Sequence, residues 1–296
     1  MDDIQWVEER FEEHRARLRA VAYRMLGSVA DAEDALQDAW VRVNRAETEG
    51  VDNIGAWLTT VVARVCLNML RARNVRRSEP LDGQLPDPVV APVGAPVPEE
   101  EALLADSVGL ALQVVLETLA PAERLAFVLH DMFHLPFDEI APLVGRSPDA
   151  ARQLASRARR RVKGADVPAP DPDLGRQRRV VDAFFAAARG GDFDALVALL
   201  DPDVVLHADG FPGRPRASTT VRGAEAVARQ ARLGANRAAQ LHPALVNGAA
   251  GVVITLGGRP HAVMAFTVAG GRIVEIDAFV DPERVGRLAA AFLAEG

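Results

Sequence analysis

The sequence has little cysteine: a single residue, Cys66, in 296. One thiol excludes an internal disulfide and any zinc site built on several cysteines. No apolar run reaches the roughly 18–20 residues that a membrane helix needs. The start, Met1-Asp2-Asp3, is acidic and has neither the basic segment nor the apolar run of a signal peptide. Positive charge is in the minority, with 34 Lys and Arg against 41 Asp and Glu and a formal net charge of −7. That sum counts against unaided binding to nucleic acid, although the position of charge matters more. There is no Walker-type loop, nucleophile elbow or metal-ligand cluster, and no internal repeat. These absences point to a soluble cytoplasmic protein with no membrane contact, no metal and no cofactor.

The length suggests two or three domains, and 49% hydrophobic residues are enough for packed cores. Residues 79–101 hold six prolines and two glycines, a density that no helix or central strand survives. A second break follows Lys163, with Gly164, Pro168, Pro170, Pro172 and Gly175. The expected organisation is a helical domain at 1–78, a Pro-rich linker at 79–101, a second helical domain at 102–164, a short linker at 165–175 and a third domain at 176–296.

Three apolar stripes at helical spacing mark the first segment. One is Ala32, Ala35, Leu36, Ala39, Trp40 and Val43. Another is Ile54, Trp57, Leu58, Val61, Val62, Val65, Cys66 and Met69. A looser one is Phe11, Leu18, Val21, Ala22, Met25 and Leu26. Helices that each bury one face imply a small bundle. The second segment ends in a helix-turn-helix signature. A short helix from Phe137 to Val144 is followed by the turn Gly145-Arg146-Ser147, then by Pro148 and Asp149 at the start of a helix reaching about Val162. Ser is a good N-cap, Pro fits the first helical position, and an acid favours the helix's positive end. Ala151, Ala155, Ala158 and Val162 would face inward.

The third segment changes character. Helices at Gln177–Arg189 and Asp192–Leu200 precede β-rich runs at Val204–His207, Gln240–Val246, Val252–Leu256, His261–Val268 and Ile273–Val280. A helix at Ala224–Leu233 lies between them. Asn247-Gly248, Gly257-Gly258 and Gly270-Gly271 separate the last four runs as hairpin turns. Helices followed by a meander of long strands suggest an α+β domain with a curved sheet.

Two basic elements stand out in this acidic chain. The outward face of the helix after the turn carries Arg152, Gln153, Ser156, Arg157 and Arg160. In a helix-turn-helix the second helix enters the major groove, where Arg pairs with guanine, Gln with adenine and Ser with either. Arg159, Arg160, Arg161 and Lys163 are placed for phosphates, which position without specifying. The other element is the non-core face of the Ile54–Met69 helix. There Thr60, Arg64, Asn68 and Arg71 recur about one turn apart, with Arg73, Arg76 and Arg77 following for phosphates. A solvated polar face would show the same spacing. Asp31, Glu33, Asp34 and Asp38 open a helix, where acids suit the dipole and could also meet a basic protein surface.

These segments resemble a known family. Asp31–Val43 (DAEDALQDAWVRV) is similar to region 2.2 of extracytoplasmic-function (ECF) sigma factors, and Ala56–Arg73 to their regions 2.3 and 2.4. Leu116–Val162 is similar to their region 4. The resemblance implies two all-α DNA-binding domains, σ2 and σ4, and as partners promoter DNA and core RNA polymerase, through its β′ clamp helices and β flap. It would place Asp31, Glu33, Asp34 and Asp38 at the clamp helices. Thr60, Arg64, Asn68 and Arg71 would lie at the −10 element, and Arg152, Gln153, Ser156 and Arg157 at the −35 element. Leu154 stands where the family often has a basic residue, so promoter preference does not transfer. The remainder resembles a subgroup fused to a SnoaL-like domain of the nuclear-transport-factor-2-like, cone-shaped fold. Its Leu-Pro-acid-Pro linker motif is matched by Leu85, Pro86, Asp87 and Pro88, without the usual preceding tryptophan. Its Asp-Gly-Gly-Gly-Arg motif is matched by Asp209, Gly210, Gly213 and Arg214, interrupted by Phe211-Pro212. Its C-terminal motif is matched by Asp281-Pro282-Glu283-Arg284-Val285. In that subgroup the fused domain modulates the sigma factor, so the terminal helix and the polar loop at Asp209–Arg214 are expected to contact σ2 or the linker.

Two rival readings remain. A standalone DNA-binding regulator would use the C-terminal domain to sense a small-molecule ligand. A cyclase or isomerase with a DNA-binding appendage would use acid–base pairs drawn from His207, Asp209, His242, His261 and Asp277.

Overall fold

A computed structural model describes residues 2–46, 53–76, 85–93, 110–164, 170–211 and 214–290. The chain divides into two compact units. One comprises 1–80, 98–104 and 112–167; the other comprises 81–97, 105–111 and 168–296.

The first unit is helical. Helices α1 (Asp2–Leu26), α2 (Val29–Val43) and α3 (Ile54–Arg76) pack on one another. Gly27, at φ 74°, ends α1, and Ser28 caps α2 by accepting from the Asp31 N–H. Without a Cβ, glycine enters the left-handed region freely, which makes it a natural helix stop. The predicted α2 stripe is buried, with Ala32, Ala35, Leu36, Ala39 and Val43 all inside, and Trp40 meets Phe11 at 5.1 Å between rings. Helix α3 buries more than the stripe: Thr59, Ala63 and Leu67 are inside beside Leu58, Val62, Val65 and Cys66. Each fully buried leucine here contributes roughly 1.5–3 kcal/mol. Cys66 is buried and its thiol pushed up to about 12, chiefly by burial; it has no thiolate to offer.

Helices α4 (Leu110–Glu117), α5 (Pro121–Phe127), α6 (Phe137–Val144) and α7 (Pro148–Gly164) follow, with a π turn at Val128–Met132. Gly145 closes α6 at φ 66°, ψ 41°, and Ser147 caps α7 by accepting from the Ala150 N–H at 3.3 Å. The inward residues of α7 are Ala151, Ala155 and Ala158, which let it lie close to α5 and α6. The two helical groups are joined within this unit. Arg124, 2% exposed, donates to the Arg24 carbonyl at 3.1 Å and to Glu117 at 2.9 Å, and Arg17 donates to the Phe133 carbonyl at 3.1 Å.

The second unit is a seven-stranded sheet in the order β1-β4-β5-β6-β7-β2-β3. Its strands are β1 (Val90–Pro92), β2 (Leu200–Phe211), β3 (Arg214–Arg222), β4 (Gln240–Val246), β5 (Ala249–Leu256), β6 (Arg259–Ala269) and β7 (Arg272–Phe279). All neighbours are antiparallel except β2 and β7, which run parallel. The three predicted turns join β4 to β7 with both central residues at positive φ, the geometry that matches strand twist and favours Asn-Gly and Gly-Gly. Helices α8 (Leu174–Gly190), α9 (Phe193–Leu199) and α10 (Ala224–Gly234) cover one face, around Val181, Phe184, Leu196, Val227, Phe266 and Ile276; α11 (Pro282–Leu288) closes the domain. This is the expected α+β architecture.

Three details differ from expectation. Strand β3 carries too few apolar residues to announce itself. Part of the Pro-rich segment forms β1, an edge strand, where the missing proline N–H breaks no ladder. The motif beginning at Asp209 is not wholly a loop: Asp209 is 8% exposed within β2, beside a bulge between Ala208 and Gly210.

Candidate nucleic-acid, partner and regulatory sites

On α7, Arg152, Gln153, Arg157 and Arg160 are exposed and Ser156 is half-buried. The flanking cations are partly committed. Arg157 and Arg161 approach Glu123 at 3.3 and 3.1 Å, and Arg159 holds Asp131 at 2.6 Å. Arg152 pairs with Asp149 at 2.5 Å and lies over the Phe137 ring. Gln153 and Arg160 are the exposed members with no such ion pair or ring contact among the described residues, so the face offers a neutral reader and a charge.

On α3, Arg64, Asn68 and Arg71 are exposed and Thr60 is half-buried. The Thr60 hydroxyl donates to the Trp57 carbonyl at 2.7 Å. Arg73, expected at phosphate, turns back to α2: it pairs with Asp31 at 2.5 Å and donates to the Leu26 carbonyl at 3.3 Å. Arg76 ends the helix; Arg77 lies outside the described residues. Along α2, Glu33 is held by Arg19 at 2.5 Å and Arg15 at 3.3 Å. Asp34 and Asp38 are exposed, with Val41 between them and the helix end at 48% exposure. The four acids therefore split, two tied into the bundle and two presented outward.

In the second unit the linker motif, the Asp209 motif and the C-terminal motif meet at one side chain. Arg284, 8% exposed, pairs with Asp87 at 2.5 Å and Asp209 at 2.9 Å, donates to the Leu85 carbonyl, and lies over the Phe279 ring at 4.6 Å. The other Asp209 oxygen accepts from the Val280 N–H at 2.7 Å and the Asp281 N–H at 3.3 Å. Asp281 caps α11, with Pro282 at its first turn. Leu85, Pro86 and Pro88 are buried. The clasp continues into β1. The Val89 N–H donates to Asn247 Oδ1 and the Asn247 N–H to the Val89 carbonyl, both at 2.8 Å, and Val90 stands opposite Val246. Gly210 and Phe211 pair with Pro215 and Arg214; Gly213 lies outside the described residues. Arg284, which makes the junction, lies inside the matched C-terminal motif, of which only Asp281 and Pro282 were expected to make the contact. The signal was an arginine three residues past the cap.

A cavity of about 380 Å³ lies between the sheet and α8 and α10, within the range of small-molecule sites. Its lining is mostly apolar, including Phe184, Phe185, Leu206, Met264 and Ile276. Of the five acid–base candidates only His261 lines it, and among the described residues no carboxylate does. His207 and Asp277 sit elsewhere, beside Glu275. His207 stands opposite Asp277 in the parallel β2–β7 register, and its Nε2 is 3.6 Å from Glu275. Burial pushes Glu275 up to about 7. Asp277 is raised well above the usual carboxylate range by burial and then by Glu275, and His207 is lowered by burial and then by Arg222. His242 bonds the Thr255 hydroxyl at 2.9 Å. The acid–base pair expected of an enzymatic cavity is therefore not assembled from these residues.

Among the described residues no helix is long and apolar enough to cross a membrane. The helix-turn-helix, the polar α3 strip and the α+β C-terminal domain together define a class: a two-part sigma-type transcription factor with a fused third domain. Residues 10–76 match the Sigma-70 region 2 family, 109–162 the Sigma-70, region 4 family, and 181–276 the SnoaL-like domain. The chain is 39% identical over 287 residues to ECF RNA polymerase sigma factor SigJ of Mycobacterium tuberculosis (strain ATCC 25618 / H37Rv), covering 93% of this chain and 91% of that protein. It is 34% identical over 278 residues to the probable ECF RNA polymerase sigma factor SigI of the same species (strain CDC 1551 / Oshkosh), covering 94% of each. The crystal structure of M. tuberculosis SigJ is similar at a TM-score of 0.73 and 37% identity, over 93% of this chain and 97% of that one. The chain belongs to the ECF RNA polymerase sigma factors.

Proposed function

We propose that this sigma factor directs core RNA polymerase to its promoters through three separate faces, and that its C-terminal domain controls it through the Arg284 clasp. Helix α7 reads the −35 element with Arg152, Gln153, Ser156 and Arg157, and Arg160 contacts phosphate. The α3 strip of Thr60, Arg64, Asn68 and Arg71 meets the −10 element, where melted bases are captured as single strands. Asp34 and Asp38 dock on the β′ clamp helices; Asp31 and Glu33 shape that helix from behind. The reading assigns no catalysis to the chain.

The observation that carries the regulatory part is the occupancy of the linker. Residues 85–93, which connect the two DNA-binding groups in sequence, are strand-paired and ion-paired to the C-terminal domain. A domain tethered in this way works at high effective concentration, so a modest contact suffices to bias the arrangement. In-vitro transcription with purified core polymerase tests it on three chains: full length, one ending near Lys163, and one ending just before Asp281. A purely restraining domain gives more transcript from both truncations. A domain that also supports the active arrangement gives less from the longer deletion and more from the shorter. Equal transcription from all three overturns the regulatory part.

The apolar cavity favours a second reading in which a small apolar ligand adjusts the clasp. Val280 lines the cavity, and its N–H is the closer of the two donated to Asp209. A change in clasp opening on addition of a hydrophobic probe, abolished by filling the cavity with Ala278→Phe, distinguishes this from control by the clasp alone.

A further inference from the structure

Strand residues alternate between faces. Leu206, Ala208, Ile276 and Ala278 line the cavity, so His207, Glu275 and Asp277 project from the opposite face of the same two strands. Their nearest ligating atoms, one imidazole nitrogen and two carboxylate oxygens, all lie within 4.8 Å of one another. A metal held at 2.0–2.2 Å by each of three ligands needs them about 3–3.5 Å apart, a gap that small side-chain rotations close. Three further observations point to a bound cation. Asp277 is 1% exposed, and its Oδ1 is buried with no hydrogen-bond partner. The histidine is already oriented as a ligand, because its Nδ1 bonds the Thr220 hydroxyl at 3.2 Å and leaves Nε2 facing Glu275. A metal-ligating imidazole is commonly fixed through its other nitrogen in this manner. Among the described residues neither carboxylate is ion-paired to an arginine or lysine; their one ion-pair contact is that of Glu275 with His207.

We propose that His207, Glu275 and Asp277 form a site for a first-row divalent transition metal ion, on the face of the C-terminal sheet opposite the cavity. One imidazole and two carboxylates suit Zn²⁺, Mn²⁺, Fe²⁺ or Co²⁺, with positions left open for water. The ion would supply the partner that the buried Asp277 oxygen lacks and would tie β2 to β7 across their parallel pair. Residue spacing in the sequence showed no such cluster, because the ligands come together only through the strand order.

Full-length protein, stripped with a chelator and dialysed, is titrated with Co²⁺ and followed by visible absorption and by equilibrium dialysis. The expected result is one Co²⁺ per chain with bands shifted from those of the aqua ion, displaced by Zn²⁺. Asp277→Asn, close in shape, and His207→Gln should each weaken binding by about tenfold or more. His242→Gln and His261→Gln should leave it unchanged. Circular dichroism establishes that each variant is folded; should Asp277→Asn fail to fold, the half-exposed His207 position carries the test. Absence of shifted bands in the wild type overturns the site, as does binding that His207→Gln leaves intact.

Discussion

Arg124 in the helical unit and Arg284 in the sheet unit do the same job with different partners. Each is almost fully buried, and each ties together segments distant in the chain. Arg124, on α5, reaches the end of α1 through the Arg24 carbonyl and the end of α4 through the Glu117 carboxylate. Arg284 joins the linker to β2 and α11 through two carboxylates and a carbonyl. The first junction turns on one carboxylate, Glu117, which is itself partly exposed. The second turns on two carboxylates: removing the cation leaves Asp209 buried near Asp87 without its ion pair, held only on its other oxygen by the Val280 and Asp281 N–H groups. A contact of that kind is suited to being opened and closed, whereas the first is suited to staying shut.

The largest expected effect follows from that asymmetry. Arg284→Ala strands a buried carboxylate, a change that costs about 3–5 kcal/mol. It should release the linker, seen as new proteolysis between residues 85 and 93 and a lower melting temperature. Arg284→Lys should rescue little, since it loses the fork that spans three acceptors. A stable, protease-resistant linker in Arg284→Ala would remove the distinction between the two junctions. Arg124→Leu should come next, at about 1.5–3 kcal/mol, the range for a hydrogen bond involving a charge. It should leave the two helical groups packed, with an unchanged radius of gyration by small-angle scattering. Their separation would mean that Arg124, too, acts as a latch.

A smaller effect is expected on the exposed α7 face. Gln153→Ala or Arg152→Ala should each lower discrimination between native and altered −35 sequences by about 2 kcal/mol, measured as holoenzyme. Equal loss on both sequences would reassign them to phosphate. The smallest belongs to α2. Asp34→Lys or Asp38→Lys should weaken core-polymerase binding by about tenfold while leaving helicity unchanged. Glu33→Lys, by contrast, should lower the melting temperature, because Arg15 and Arg19 already hold that carboxylate. If all three behaved alike, the division of the acids into tied and presented pairs would fail.

The helix-turn-helix was legible residue by residue. Ser147, Gly145 and the alanine stripe of α7 act through neighbours a few positions away, so pattern and propensity are enough to place them. The same holds for the stripe of α2, the polar strip of α3 and the three hairpin turns between β4 and β7. Outward direction was legible there too, but commitment was not: nothing near Arg73 in sequence announces that Asp31 on another helix will take it.

What the sequence determined by itself, then, is the set of elements with local causes: caps, turns, stripes and the order of the three parts. Only the tertiary structure decided the junctions. β1 exists because β4 offers a free edge to a segment that has no pattern of its own, and β3 because β2 does. Arg284 meets Asp87 and Asp209 from positions 197 and 75 residues away, and His207 meets Asp277 because β7 lies between β6 and β2 in the sheet. Such meetings depend on which strand edges pair. That choice is settled by the burial of the whole sheet against its helices, a cooperative quantity that no short stretch of residues records.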